Sequence, residues 1–157
     1  MSILLRKARL EDAQFLLDLR NDPEVRRASR NTGAITLETH TAWLGRKLHD
    51  PDALLFIVEE SGTPLSQVRF DVKATNAEIS IAITADFRGK GYGSPVIKEA
   101  TELCFREFPN VSHIRAVTNL DNEASAKSFI KAGYTSKGEI EEEGIHRRLF
   151  VFDRSKP

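Results

Sequence analysis

Residues Glu78 to Val96 read EISIAITADFRGKGYGSPV, and this stretch decides the fold. Glu78-Ile79-Ser80-Ile81-Ala82-Ile83 alternates β-branched with small or polar residues at period two, the pattern of a pleated strand. Arg88-Gly89-Lys90-Gly91-Tyr92-Gly93 follows, with a glycine at every second position. Glycines so spaced let main-chain N–H groups turn inward and approach a ligand without Cβ interference. Ser94 is the expected N-cap of the next helix and Pro95 its first residue, where the missing N–H is harmless. A helix opening there aims its free N–H groups and positive dipole end at the turn, which suits phosphate. Arg88 and Lys90 are expected to add mobile positive charge beside it.

The turn lacks the G-x-x-x-x-G-K-[ST] of a Walker A loop, and counting from Gly91 and Gly93 a G-x-G-x-x-G motif fails at Val96. Arg88-x-x-Gly91-x-Gly93, after a strand and before a helix, instead resembles the pyrophosphate loop of the GNAT N-acetyltransferases, against a plainer reading as a surface turn. A second run is similar to the motif closing that family's cofactor half: Asn119, then Asn122, Ser125, Lys131, Gly133 and Tyr134 at the family spacing. The two motifs together span about residues 78 to 135.

Outward from this centre, the chain has 157 residues, 40% hydrophobic and 29% charged, the composition of one globular domain spanning 1–157. Its 23 basic residues balance 23 acidic ones, which gives no compositional support for a nucleic-acid partner. One cysteine, Cys104, excludes an internal disulfide and fits a reducing cytoplasm; it reads as core rather than nucleophile. The N-terminus is too weakly apolar for a signal peptide, and no run is long enough for a membrane span. His40, His49, His113 and His146 lack metal-ligand spacing, so no metal is expected.

Strands are expected at Ile3–Arg9, Ala53–Glu60, Leu65–Val72, Glu78–Ile83, Val111–Thr118, Thr135–Glu141 and Ile145–Arg154, the last two a hairpin about Glu143-Gly144. Helices are expected after Glu11-Asp12 to Leu19, from the cap Thr36 to His49, from Ser94 to Glu107, and from Asp121-Asn122 to Ala132; Glu24–Arg27 gives a short further turn, and 31–35 a loop. The strand–helix–strand crossover makes the fifth strand parallel to the fourth. The fold class is α+β, a mixed and mostly antiparallel sheet of about seven strands with helices on both faces. The resemblance adds the GNAT fold, with a splay between the fourth and fifth strands that admits the pantetheine arm of acetyl-CoA.

The resemblance also implies roles. Main-chain groups of Ile81, Ala82 and Ile83, at a bulge in the fourth strand, would hold the cofactor and the oxyanion; Arg88, Gly89, Lys90, Gly91, Tyr92, Gly93 and Ser94 would hold the pyrophosphate, and Asn119, Asn122, Ser125 and Phe129 would line the rest. Many members carry a tyrosine at the position of Phe129, where it protonates the departing thiolate. Phenylalanine has no proton to give, and Ser125, one turn earlier, is the candidate replacement, as in ribosomal-protein acetyltransferases; simple cofactor hydrogen bonding is the alternative. Glu78 is the candidate base, against a solvated strand-end carboxylate, with His40 a further one. On the acceptor side, Arg20-Asn21-x-Pro-x-Val-Arg, His40-x-x-Trp43 and Val-Arg69-Phe-Asp resemble the branch that acetylates a UDP-linked 4-amino-4,6-dideoxy sugar in the pseudaminic acid pathway. Arg20 and Arg69 suit a diphosphate and Trp43 a stacked ring, against helix-end, ion-pair and core roles for the same residues. A peptide N-terminal amine is the alternative acceptor, and a CoA-binding module without turnover the alternative of another class. Members are often homodimers.

Overall fold

A computed structural model describes residues 1–28 and 33–154. Asn31 and Thr32, at the head of the expected loop, lie outside the described residues. Seven strands form one sheet: β1 Ile3–Lys7, β2 Ala53–Glu60, β3 Thr63–Lys73, β4 Asn76–Ile83, β5 His113–Asn119, β6 Thr135–Glu142 and β7 Ile145–Asp153. Their order is β1-β2-β3-β4-β5-β7-β6, and every neighbouring pair is antiparallel except β4–β5. The helices are α1 Ala13–Asn21, α2 Pro23–Ala28, α3 Leu37–Leu48, α4 Gly93–Glu107 and α5 Glu123–Lys131.

Local chemistry explains the joints. Ser61 and Gly62 both have positive φ (51° and 80°), so the β2–β3 hairpin closes in two residues. The expected four-residue turn is shorter because Thr63 already pairs with Glu60. Glu143 and Gly144 repeat that geometry between β6 and β7. Thr36 caps α3 by accepting the Thr39 N–H at 3.2 Å, as its sequence position predicts. Leu10–Asp12, ahead of α1, form a 3-10 turn of their own. There Asp12 takes two 2.8 Å bonds from the Arg6 guanidinium and one from the Arg9 N–H. The Arg6 hydrogen bond, against the cost of burial, holds the Asp12 carboxyl below its ordinary value.

Two cores flank the sheet. Leu54, Phe56, Val68, Phe70, Ala77, Ile79, Ile114 and Ala116 point at α4 and α5, which contribute Val96, Ile97, Ala100, Cys104, Ala126 and Phe129. Each fully buried side chain of this size stabilises the fold by roughly 1.5–3 kcal/mol relative to exposure. On the opposite face Leu55 and Ile57 meet Leu16 and Leu44 of α1 and α3, with Trp43 packed at the edge. Burial pushes the Cys104 thiol up to about 12, so it is a core group and not a thiolate. Among the described residues no helix is long and apolar enough to cross a membrane.

Candidate active site

The sheet opens where its one parallel pair ends. β4 and β5 pair at Asn76–His113, Ala77–Ile114 and Glu78–Arg115, and the pairing then stops although β4 runs to Ile83 and β5 to Asn119. β4 stays registered on β3 throughout, from Lys73–Asn76 to Ser66–Ile83. The bulge expected near Ala82 and Ile83 is therefore absent; the strand keeps its pleat because β3 matches it residue for residue. The Thr84 N–H donates to the Leu65 carbonyl at 2.9 Å. By antiparallel alternation Ala82 and Ser80 then bond toward β3, and the main-chain groups of Ile79, Ile81 and Ile83 face β5. Past Glu78 they face an open crevice. Two hydroxyls at its ends, Thr84 Oγ1 and Thr118 Oγ1, are buried with no hydrogen-bond partner among the described residues. Groups of that kind call for a ligand or water.

The glycine turn lies at the open end of β4. Gly89 and Gly91 have φ of +71° and +84°, a conformation that a side chain disfavours. α4 begins at Gly93 with Tyr92 as its N-cap, so Ser94 is not the cap and Pro95 is the third helical residue. The helix starts two residues early because the Val96 N–H already reaches the Tyr92 carbonyl at 3.1 Å. The proline's missing N–H is still one of the four that no intrahelical carbonyl accepts. The Gly93 and Ser94 N–H groups head this helix and are the natural seat for phosphate. Gly93 is needed for a further reason: a Cβ there would lie 3.0 Å from Ser128 Cβ and closer still to its Oγ. The Tyr92 hydroxyl donates to Glu60 and its ring meets Phe87 edge-on, which fixes the loop against β2.

Arg88 is not the mobile cation expected. Its Nε donates to the Ile83 carbonyl at 2.9 Å and its Nη2 to Asp22 Oδ1 at 2.8 Å. Burial tends to raise the Asp22 carboxyl, but the Arg88 hydrogen bond leads the effects that hold it below its ordinary value. Lys90 remains exposed beside the turn.

On α5, Asn122 is the N-cap, its Oδ1 accepting the Ser125 N–H at 3.1 Å. Ser125 and Ser128 are half-buried, one turn apart, and Ser128 abuts Gly93, so this side of α5 looks toward the α4 terminus. Phe129 does not join them. It is 3% exposed, stacked on Phe150 and edge-on to Tyr134, so the ring packs in the core where a cofactor contact was expected. In sequence Ser128 lies off the Ser125–Phe129 face and reads as the weaker candidate; three residues from Ser125, it stands against Gly93. The Asn119 side chain is also taken: Nδ2 donates to the Arg27 carbonyl at 3.2 Å and Oδ1 accepts from Arg147 Nη1.

Four of the residues expected on the acceptor side gather over the other face. Leu55, Arg69 and Ser80 lie side by side across β2, β3 and β4. The Arg69 guanidinium sits 5.5 Å from the Trp43 ring centroid, and His40 lies 5.3 Å beyond that ring on α3. Arg69 Nε also donates to Asp71 at 2.9 Å, and Lys47 pairs with the same carboxylate. His40 is 5% exposed with Nδ1 unpartnered among the described residues; burial first, then the charge of Arg20, hold its pKa below 6.5. Burial and the nearby Arg26 lower the Arg20 pKa as well. Arg20, His40, Trp43 and Arg69 thus form one group. Asn21 does not belong to it, because Oδ1 and Nδ2 both bond the main chain of Ile35, at 3.0 and 2.9 Å, to tie down the approach to α3. Glu78 stands on the Arg69 face where the strands part, 3.9 Å from Arg115 Nε. No group of His, Cys, Asp or Glu among the described residues could hold a metal ion.

A sheet opened at its parallel pair, with a glycine turn and helix terminus at the opening, defines the class of acetyl-CoA-dependent acyltransferases. The family model described as acetyltransferase (GNAT) domain matches residues 2–135, and the chain belongs to that family of N-acetyltransferases. In structure it is similar to spermidine N-acetyltransferase from Vibrio cholerae in complex with CoA and spermine: TM-score 0.86, 18% identity, 98% of this chain and 96% of that one. It is likewise similar to the aminoglycoside acetyltransferase AAC(6')-Ib in complex with ribostamycin and coenzyme A, with TM-score 0.85, 19% identity and 98% and 94% coverage. A comparison with curated protein sequences finds no match.

Proposed function

We propose that the protein acetylates a primary amine on a small anionic molecule, and that the best acceptor is the 4-amino group of a UDP-4-amino-4,6-dideoxy sugar. One observation carries the anionic acceptor: the Arg69 guanidinium lies over the Trp43 ring beside His40, and Arg20, its pKa lowered by burial and then by the charge of Arg26, adds positive charge there. Spermine and ribostamycin are polycations, whereas this face gathers guanidinium groups that attract phosphate. Trp43 offers an aromatic face for a uracil or sugar ring.

Acetyl-CoA, when bound, supplies the acetyl thioester. The crevice fits it: open-edge main-chain groups at Ile81 and Ile83, orphaned hydroxyls at Thr84 and Thr118, and a cradle at Gly93 that a Cβ would fill. Glu78 takes the proton from the ammonium of the acceptor, directly or through water, leaving the amine lone pair free to form the new C–N bond. The Ile81 and Ile83 N–H groups would hold negative charge on the carbonyl oxygen without any bulge. Once the C–N bond has formed, the nitrogen would lose its second proton. As the C–S bond breaks, the Ser125 hydroxyl would pass a proton to the sulfur while regaining one from that nitrogen, directly or through water.

The test is thiol release from acetyl-CoA with the UDP-amino sugar, with spermidine and a peptide N-terminus as competing acceptors. Saturable release with the sugar nucleotide alone is expected. Release with the peptide alone would support the alternative that Ser125 motivates, a protein N-terminal acetyltransferase. Tight CoA binding with no release on any amine would support a module without turnover.

A further inference from the structure

We propose that α2 is a strap strung between the two lips of the crevice, and that Arg88 and Asn119 are positioning residues that set where it lies over the acceptor amine. The inference rests on the preceding reading of which face receives the acceptor.

The tethers define the strap. Asp22 heads α2, and its Oδ1 accepts the Glu24 and Val25 N–H groups at 3.0 and 3.4 Å. That same oxygen accepts Arg88 Nη2, whose Nε holds the carbonyl of Ile83, the last residue of β4. At the other end the Arg27 carbonyl accepts from Asn119, the last residue of β5, and Asn119 is itself held by Arg147, which is 6% exposed. Each end of a six-residue helix is therefore fastened to the tip of one diverging strand. Lengths agree with this. Six helical residues span about 9 Å, close to twice the ~4.8 Å between paired strands, the gap left by one missing strand.

The strap has an inner side. Val25 and Arg26 are half-buried, while Pro23, Glu24, Arg27 and Ala28 are exposed. α2 follows α1 on the face that carries Arg69 and Trp43, so Val25 and Arg26 look toward the acceptor group. Arg88 and Asn119 spend their hydrogen bonds on strand ends and strap. They act on the acceptor through α2, which replaces the cofactor contact expected of both.

Asn119→Asp tests this directly: it keeps the Oδ1 acceptor for Arg147 and removes the donor to Arg27. Hydrogen exchange of the full-length protein, without substrates, is expected to quicken about tenfold at residues 26–28 and to stay unchanged along α4. With whichever amine is acetylated, its KM is expected to rise about tenfold while KM for acetyl-CoA stays within about twofold. Arg88→Ala is expected to quicken exchange at residues 24 and 25 in the same assay. Unchanged exchange in α2 in both variants overturns the strap. Faster exchange with an unaltered acceptor KM overturns the positioning role, and a rise confined to the acetyl-CoA KM restores Asn119 to the cofactor. If no amine is acetylated by the unaltered protein, the acceptor reading and the positioning role fall together, and the exchange experiment still decides the tethers.

Discussion

On the β4–β5 side of the crevice the polar groups that face it belong to the main chain, and on the α1–α3 side they belong to side chains. Ile81, Ile83, Gly93 and Ser94 contribute N–H groups whose direction follows from strand alternation and a helix start. Arg20, His40, Trp43 and Arg69 come from three separate elements, and contacts of about 5 Å between them create the surface. A site made of main chain is insensitive to residue identity except where a Cβ would intrude. A site made of side chains changes character with each substitution. The comparison explains how one fold can occur in complex with CoA together with molecules as different as spermine and ribostamycin.

The largest effect should come from intruding on the main-chain side. Gly93→Val drives two methyl groups into Ser128, and Gly91→Val forces a side chain into a backbone with φ of +84°. Gly93→Val is expected to weaken acetyl-CoA binding by about a hundredfold or more, measured by calorimetry, with Gly91→Val next at about 1–3 kcal/mol of strain. Unaltered affinity in both would show that the turn does not hold the donor.

Phe129→Tyr comes next and tests the boundary between core and crevice. If Phe129 belongs to the core, the added hydroxyl is buried against Phe150 and Tyr134, and urea unfolding should show a loss of about 1–3 kcal/mol. Full stability with faster turnover would place the ring at the thiol after all. On the side-chain side, Arg69→Ala removes the Trp43 stack and a partner of Asp71. Its acceptor KM should rise about tenfold with no change for acetyl-CoA, a split that main-chain binding of the donor predicts.

The smallest effect is a titration. The folded state holds His40 neutral below 6.5, chiefly by burial, so the unfolded chain takes up that proton first as pH falls. The stability tied to this group is present above 6.5 and declines as pH drops through it; His40→Gln should flatten that limb of a stability–pH curve.

The sequence revealed most where one residue type has one physical use. Period-two alternation placed β4, the glycine spacing placed the turn, and Thr36 and Asn122 announced their helices. It revealed least where a polar side chain has several partners open to it. Arg88, Asn21 and Asn119 each read as ligand contacts, and each is taken by a residue between 5 and 92 positions away in the chain. Such pairings depend on how the helices lie over the sheet, which no local pattern encodes. Phe129 failed for a related reason. A phenylalanine on a helix has two flanks, and only the ring cluster with Tyr134 and Phe150 selects the one it buries.

The early end of the β4–β5 ladder has one more consequence. A sheet that parts in its middle carries an internal edge, with amide groups that neither neighbour serves. An extended donor with amides of its own would find main-chain partners along that edge. Folding and donor binding are then linked: at a donor concentration a hundred times its Kd the fold gains about 2.7 kcal/mol. A donor-bound protein would then unfold less readily than the free one, so the internal edge makes the stability of the fold depend on what occupies it.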